Sequence, residues 1–134
     1  MACRILICDD NDEDVALLMH ALATAQLEMN PVRARDGDEA LQLLSNDSSY
    51  DLVVMDQHLP RKMGGEVLQF LGDCNRLPSC PVVFFSSQPQ LGGPCVSAAT
   101  MIVEKPFSLD GYLLLGAAIA DLYRKAIQLQ NTTE

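Results

Sequence analysis

Hydrophobic and polar positions follow two different spacings along this chain, and the two spacings alternate. Runs of about four apolar residues predict short strands buried on both faces. The segments between them carry apolar residues three or four positions apart, which predicts helices with one buried face. Strands that alternate with helices in this way form a parallel sheet covered on both sides. The pattern therefore predicts a doubly wound α/β fold with five strands.

The predicted elements are short except for the last helix. A break is expected at Asn30-Pro31, before the second strand. Two prolines and two glycines in residues 88–94 predict that the helix between the fourth and fifth strands is short or missing. Strands are expected over residues 4–8, 32–35, 52–56, 82–85 and 101–104, and helices from about 13, over 38–44 and 66–71, and from a cap at Ser108 to about Gln130.

The composition fits one domain without a nucleic-acid or membrane surface. The 134 residues are 49% hydrophobic, enough for a core, and the formal net charge is −9. The positive side chains are scattered, whereas nucleic-acid binding needs a basic stripe. The apolar runs are too short to cross a bilayer, and no targeting segment precedes the first strand. A cytoplasmic location is expected, with residues 1–134 forming one domain and no output domain following.

The cysteines do not form a metal-binding pattern. Their number is odd, no Cys-x-x-Cys motif occurs, and the two histidines are scattered. We expect reduced thiols packed as small hydrophobic side chains. The five cysteines are Cys3, Cys8, Cys74, Cys80 and Cys95.

Four of the predicted strands end in polar residues. Because the carboxyl ends of parallel strands meet at one edge of a sheet, these side chains are expected in one crevice. Carboxylates about 4 Å apart repel each other by about 4 kcal/mol at a partly screened site. The lysine offsets part of this repulsion, and a hard cation such as Mg²⁺ would offset more. In chain order the residues are Asp9 and Asp10, Asp56, Ser86 and Lys105.

Such a crevice is suited to phosphoryl transfer. A cation and a hydroxyl stabilise the charge on a transferring phosphoryl group, and a carboxylate such as Asp56 can form an acyl phosphate. Each residue alone has an ordinary structural explanation, as a helix-start acid, a turn residue or a solvated lysine. Their conjunction at four strand ends favours the functional interpretation.

Several motifs occur together in an order and spacing that resemble a response-regulator receiver domain of the CheY-like kind. No single motif is specific, but together they span nearly the whole chain. The resemblance implies a flavodoxin-like sheet with strand order 2-1-3-4-5. The motifs are Asp9-Asp10-Asn11, the segments 34–41 and 51–56, Leu59-Pro60, Gly64, the segment 66–68, Pro81-Val82-Val83 leading to Ser86, and Lys105-Pro106-Phe107.

The resemblance implies a role in two-component signalling. Asp56 would accept a phosphoryl group from the phosphohistidine of a sensor histidine kinase or phosphotransfer protein. Ser86 would hydrogen-bond that group, Lys105 would pair with it, and the Lys105-Pro106 bond would be cis. The protein would catalyse only its own phosphorylation and dephosphorylation. At the level of analogy, the chain resembles receivers that serve sensor kinases such as phytochromes.

The resemblance also implies a magnesium site. Asp10 and Asp56 would bind Mg²⁺ through their side chains and His58 through its main-chain carbonyl. Asp9 would bind the ion through water. These residues are expected as the metal ligands, with Mg²⁺ as the only cofactor.

One departure from the family pattern bears on signal output. Ile102 stands where the family usually has an aromatic residue, so the usual coupled movement of hydroxyl and ring cannot operate. The signal is expected to leave by contact with an unidentified downstream protein. Apolar residues form two stripes on the last helix. The first consists of Leu109, Tyr112, Leu113, Ala117 and Ala120, and the second of Leu114, Leu115, Ala118, Ile119, Leu122, Ala126 and Leu129. The second stripe is either part of a wide core face or the surface of a homodimer or partner contact.

Two other functions are weaker alternatives. A receiver-like interaction module that works without phosphorylation is suggested by Ile102 and the eroded helix, but the complete set of site residues argues against it. A phosphatase of the haloacid dehalogenase kind needs a second aspartate two residues after the first. His58 occupies that position.

Overall fold

Five parallel strands form one sheet in the strand order 2-1-3-4-5, numbered along the chain, as the resemblance implies. The computed structural model describes residues 2–85 and 101–132, so the helix expected between the last two strands lies outside the described residues. The elements are β1 (Cys3–Cys8), α1 (Asp12–Thr24), β2 (Met29–Ala34), α2 (Gly37–Asn46), β3 (Leu52–Asp56), α3 (Gly64–Asp73), β4 (Val82–Phe85), β5 (Met101–Val103) and α4 (Leu109–Thr132).

The central strand β3 is buried on both faces, and its side chains alternate between two hydrophobic clusters. Val53 and Met55 pack with α2 and α3 on one side of the sheet. Leu52 and Val54 pack with α1 and α4 on the other side. Successive side chains of a strand point to opposite faces, so a continuous apolar run supplies both layers. This arrangement confirms the doubly wound architecture.

The helix starts follow the capping residues in the sequence. The Asn11 side chain accepts a hydrogen bond from the Asp14 amide at 3.0 Å, so α1 begins directly after the strand-end acids. Ser108 accepts a hydrogen bond from the Gly111 amide at 3.1 Å and begins α4 as predicted. Acidic residues fill the first turn of α1, where the helix dipole favours negative charge.

The expected break at Asn30-Pro31 is wrong, because β2 begins at Met29 and includes both residues. Pro31 pairs with Ile5 of β1, and β2 lies at the edge of the sheet. Proline has no amide N–H to donate, and an edge strand tolerates it because such a strand has a neighbour on one side only. The chain reverses earlier, at Gln26, which adopts a positive φ of 64°.

The two apolar stripes predicted for the last helix do not match its packing. The residues that α4 buries belong to neither stripe as a whole, and Ala117 of the first stripe is exposed. Leu114 is 75% exposed and Leu129 68% exposed. The difference arises because Gly116 and Tyr123, which belong to neither predicted stripe, occupy core-facing positions, so the buried face runs between the two stripes. The buried residues are Tyr112, Gly116, Ile119, Ala120 and Tyr123.

Gly116 allows α4 to lie close against α1. A Cβ atom at this position would lie 2.7 Å from both the carbonyl carbon and the Cβ of Ala21. Glycine normally weakens a helix interior relative to alanine, so its presence here reflects the close approach of the two helices. None of the described helices combines the length and apolar character needed to cross a membrane.

The prediction that the cysteines pack as small hydrophobic side chains holds for three of the four described cysteines. Cys3, Cys8 and Cys80 are buried free thiols, whereas Cys74 is exposed and Cys95 lies outside the described residues. Burial raises the pKa of the Cys80 thiol to about 11 and that of Cys3 to about 12. These buried side chains act as small core residues.

The packing of α4 predicts unequal effects of two truncations on the same helix. Ile119 is fully buried, so Ile119→Ala removes core contacts and should lower the free energy of unfolding by about 2–5 kcal/mol. Leu114→Ala is the matched control and should change it by less than about 0.5 kcal/mol. Urea unfolding of both variants measures the difference. Equal losses from the two substitutions would contradict the assignment of the buried face.

Candidate functional site

Two aspartates are the buried polar residues of the described chain, and both lie at the carboxyl edge of the sheet. Asp9 follows β1 and is 5% exposed, whereas Asp56 ends β3 and is 6% exposed. Adjacent parallel strands carry them, since β1 pairs with β3. Charged side chains are rarely buried to this degree unless a partner compensates them.

The Lys105 ammonium compensates both aspartates and a third carboxylate. Its Nζ lies 2.9 Å from Asp9 Oδ2, 2.8 Å from Asp56 Oδ2 and 2.9 Å from Asp14 Oδ2. An ammonium group has three hydrogen-bond donors, so these three carboxylates use all of them. The side chain that makes these contacts is 26% exposed. The lysine is therefore the centre of a compact ionic cluster.

The same contacts fix the charge state of Lys105. Burial of the ammonium opposes its charge, but the hydrogen bonds to Asp14, Asp56 and Asp9 outweigh this and raise the pKa of Lys105 above its ordinary value. The group stays cationic across the physiological pH range. Its Nζ also lies 6.0 Å from the centre of the Phe85 ring, at the end of the intervening strand β4.

The second oxygen of each buried aspartate accepts a main-chain hydrogen bond. Asp9 Oδ1 accepts from the amide of Asn11 at 2.9 Å, and Asp56 Oδ1 accepts from the amide of His58 at 3.0 Å. Both donors stand two residues after the aspartate, which is the geometry of an Asx turn. Each carboxylate is thus held by its own loop on one side and by Lys105 on the other.

Three carboxylates at this edge form a group that could hold a metal ion. Asp9, Asp10 and Asp56 each offer an oxygen, and these oxygens lie within 4.8 Å of one another. Burial raises the pKa of Asp9, and the hydrogen bonds from Asn11 and Lys105 offset only part of this effect. A cation among these oxygens would favour the charged form. An all-oxygen set of this kind suits a hard ion such as Mg²⁺.

Four of the predicted site residues lie together at this edge of the sheet: Asp9, Asp10, Asp56 and Lys105. Ser86 lies outside the described residues. The role of the His58 main-chain carbonyl as a metal ligand stays a prediction.

The expected cis bond at Lys105-Pro106 is wrong, because every peptide bond of the described chain is trans. The trans form is intrinsically preferred before proline, and with it the ammonium reaches all three carboxylates.

Two contributors to the site were missed from the sequence. Asp14 lies in the first turn of α1 and pairs with Lys105. The sequence showed it only as one member of an acidic block. Arg33 of β2 donates from Nε and Nη2 to the main-chain carbonyl of Asp9, at 3.2 Å and 3.1 Å. It also pairs with Asp12 at 2.6 Å. Its position near the carboxyl end of an edge strand was the available signal.

A family model described as "Response regulator receiver domain" matches residues 5–113. The chain belongs to this family. Receiver domains are signalling modules that interact with histidine kinases or phosphotransfer proteins. The match covers four strands, most of β1 and the site, including every aspartate of the ionic cluster and Lys105.

Individual relatives agree with the family assignment. The "Two-component response regulator ORR5" of Oryza sativa is 30% identical over 85 residues, which are 63% of this chain and 62% of that protein. The match thus spans less than two thirds of that relative. A crystal structure of the phosphorylated cyanobacterial phytochrome response regulator RcpA has a TM-score of 0.71 at 25% identity, covering 94% of this chain and 96% of that one. The bacteriophytochrome response regulator RtBRR has a TM-score of 0.65 at 31% identity, covering 91% and 78%.

The raised pKa of Asp9 predicts a pH-dependent cost to stability. Because the folded protein binds a proton at Asp9 more readily than the unfolded chain does, the charged form is penalised above the raised pKa, and the penalty disappears as the pH falls. In buffer free of divalent cations, we expect Asp9→Asn to raise the free energy of unfolding at pH 7. This advantage should shrink as the pH approaches 3.8, the ordinary value. Urea unfolding over this range tests it, and a less stable Asp9→Asn at pH 7 would contradict it.

Proposed function

We propose that this receiver domain accepts a phosphoryl group on Asp56 from the phosphohistidine of a sensor histidine kinase or phosphotransfer protein. The observation that carries the proposal is the environment of the Asp56 carboxylate, which is buried at a strand end, paired with Lys105 at 2.8 Å and adjacent to two further acids. A carboxylate in this setting is a nucleophile beside a fixed positive charge. The family assignment supports the same role.

The transfer is a simple displacement. A carboxylate oxygen of Asp56 attacks the phosphorus, a P–O bond forms, and the P–N bond of the phosphohistidine breaks. The imidazole leaves with the bonding electron pair and takes a proton from solvent. Asp56 then carries an acyl phosphate. Water later attacks the phosphorus, the P–O bond to Asp56 breaks, and inorganic phosphate leaves.

The remaining site residues stabilise charge during this displacement. Lys105 turns one of its three donors to a phosphoryl oxygen, and Ser86 donates a hydrogen bond to another. Asp10 and Asp56, with the His58 carbonyl, would hold Mg²⁺ directly, and Asp9 would hold it through water. The ion would supply positive charge that offsets the negative charge on the phosphoryl oxygens. The activity is confined to phosphorylation and dephosphorylation of the domain itself.

The proposed output is protein contact, through surfaces that are exposed and apolar. Phe107 is 99% exposed directly after the site lysine, and Leu109 and Leu114 are 48% and 75% exposed on α4. Ile102 of β5 packs partly buried against the α2–α3 side of the core, so no aromatic ring swings at that position. A homodimer through α4 and a downstream protein partner both remain proposals, as does a cytoplasmic location. RcpA and RtBRR are response regulators of a phytochrome and a bacteriophytochrome, which supports a phytochrome-type sensor as the donor.

The acceptor role predicts a single phosphoryl adduct. With Mg²⁺ and a small phosphodonor, the wild type should gain the mass of one phosphoryl group, and Asp56→Asn should gain none. Asp51→Asn is the matched control, because Asp51 is an exposed acid at the opposite end of the same strand. Intact mass spectrometry measures the adduct. Absence of an adduct on the wild type, with the small donor and with a kinase, would instead favour a receiver-like module that works unphosphorylated.

The metal role predicts stabilisation by Mg²⁺. An ion that binds only the folded protein should raise the free energy of unfolding by about 2.7 kcal/mol at a concentration 100 times its dissociation constant. Asp10→Asn should abolish most of this gain, since Asp10 belongs to the acidic group. Glu13→Gln removes a nearby exposed acid outside that group and should retain the gain. Thermal unfolding with and without Mg²⁺ tests this, and equal gains in both variants would contradict the assigned ligands.

A further inference from the structure

Asp14 pairs with Lys105 as closely as the two buried aspartates do, but the proposed chemistry assigns it no role. Its Oδ2 lies 2.9 Å from Lys105 Nζ. The residue lies in the first turn of α1, where its own amide donates to the capping side chain of Asn11. Its backbone is therefore anchored by the helix cap while its carboxylate contacts the ammonium.

Asp14 differs from the other two partners of Lys105 in one respect. Asp9 and Asp56 belong both to the lysine cluster and to the acidic group that could hold a metal ion. Asp14 belongs to the lysine cluster alone. When the oxygens of Asp9 and Asp56 are shared with a cation or a phosphoryl group, Asp14 is the partner that remains free to hold Lys105.

The surroundings of Asp14 favour a strong ion pair. Its side chain is 28% exposed, so solvent screens the pair only in part. Tyr112 of α4 is buried nearby. Its burial, the larger cause, and the negative charge of Asp14, the second, raise the pKa of Tyr112 to about 12. The carboxylate thus lies between the first turn of α1, the segment after β5 and the start of α4.

We infer that Asp14 is a positioning residue that holds the Lys105 ammonium beside Asp56 during phosphoryl transfer. The inference rests on the proposed function of Asp56. A lysine has a flexible four-carbon stem, so an ammonium without a fixed partner samples many rotamers. An anchor outside the reacting group keeps the charge within reach of the phosphoryl oxygens and lowers the cost of ordering it.

The competing explanation is that Asp14 slows phosphorylation. A carboxylate that merely competes for the ammonium would slow the reaction, and its removal would then speed phosphorylation. A positioning carboxylate speeds the reaction, and its removal slows it. The sign of the change in rate therefore separates the two explanations.

The first experiment compares Asp14→Asn with Glu13→Gln. Both substitutions remove one negative charge from the first turn of α1, but Glu13 is exposed. Phosphorylation by a small phosphodonor at saturating Mg²⁺ is followed by intact mass. We expect Asp14→Asn to react about tenfold more slowly than the wild type, equivalent to about 1.4 kcal/mol. Glu13→Gln should react at close to the wild-type rate.

The second experiment observes Lys105 directly and needs no phosphodonor. The chain has three lysines, Lys62, Lys105 and Lys125, so the side-chain ¹⁵Nζ signals can be assigned with two Lys→Arg variants. The wild type and Glu13→Gln should show a Lys105 ammonium signal protected from solvent exchange. In Asp14→Asn this signal should shift and broaden, which a purely structural role for Asp14 elsewhere would not cause.

The outcomes distinguish the inference from the function on which it rests. A wild type that gains no phosphoryl group from the small donor or from a kinase overturns the proposed function, and the Lys105 signal still tests the positioning of the ammonium. A wild type that is phosphorylated, with Asp14→Asn equally fast or faster and its Lys105 signal unchanged, overturns the inference. If Asp14→Asn does not fold, Asp14→Ala removes the same carboxylate and is judged by the same two measurements.

Discussion

The ion pairs between Lys105 and three carboxylates are the interaction on which the site depends. Without the ammonium, Asp9 and Asp56 would be buried charges of the same sign facing each other, with Asp14 beside them. Such an arrangement destabilises a fold, because each carboxylate loses hydration and gains a repulsive neighbour. One cation that uses all three of its donors makes the cluster tolerable. The single ammonium leaves the cluster with an excess of negative charge, which suits a site that takes up a cation.

The sheet topology determines how this lysine reaches its partners. β1 and β3 are neighbours, so their terminal aspartates lie side by side, but β4 separates β3 from β5. Lys105 therefore has to extend across the end of β4, past the Phe85 ring. A long flexible side chain can make this crossing, whereas a shorter one could not. The same flexibility is the reason that an additional partner from α1 is valuable for fixing the ammonium.

Local sequence and distant contacts contribute differently to the orientation of the carboxylates. One oxygen of Asp9 and one of Asp56 are held by amides two residues later, which is a local turn geometry. The other oxygen of each is held by Lys105, which stands 49 residues after Asp56 and still farther from Asp9 along the chain. The loops thus aim the carboxylates, and the fold then supplies the positive charge that offsets their burial.

The sequence by itself determined the α/β class, the helix caps and the strand-end acids, because each depends on local spacing or on a run of similar residues. It also indicated the family, and with it the strand order. Only the tertiary structure decided that Asp14 and Arg33 join the site, that β2 tolerates Pro31 at the sheet edge, and that α4 packs through Gly116 and Tyr123. These features depend on which elements become neighbours and how closely they approach, and no local pattern encodes that distance. The buried charge of the site is likewise a property of the assembled sheet edge.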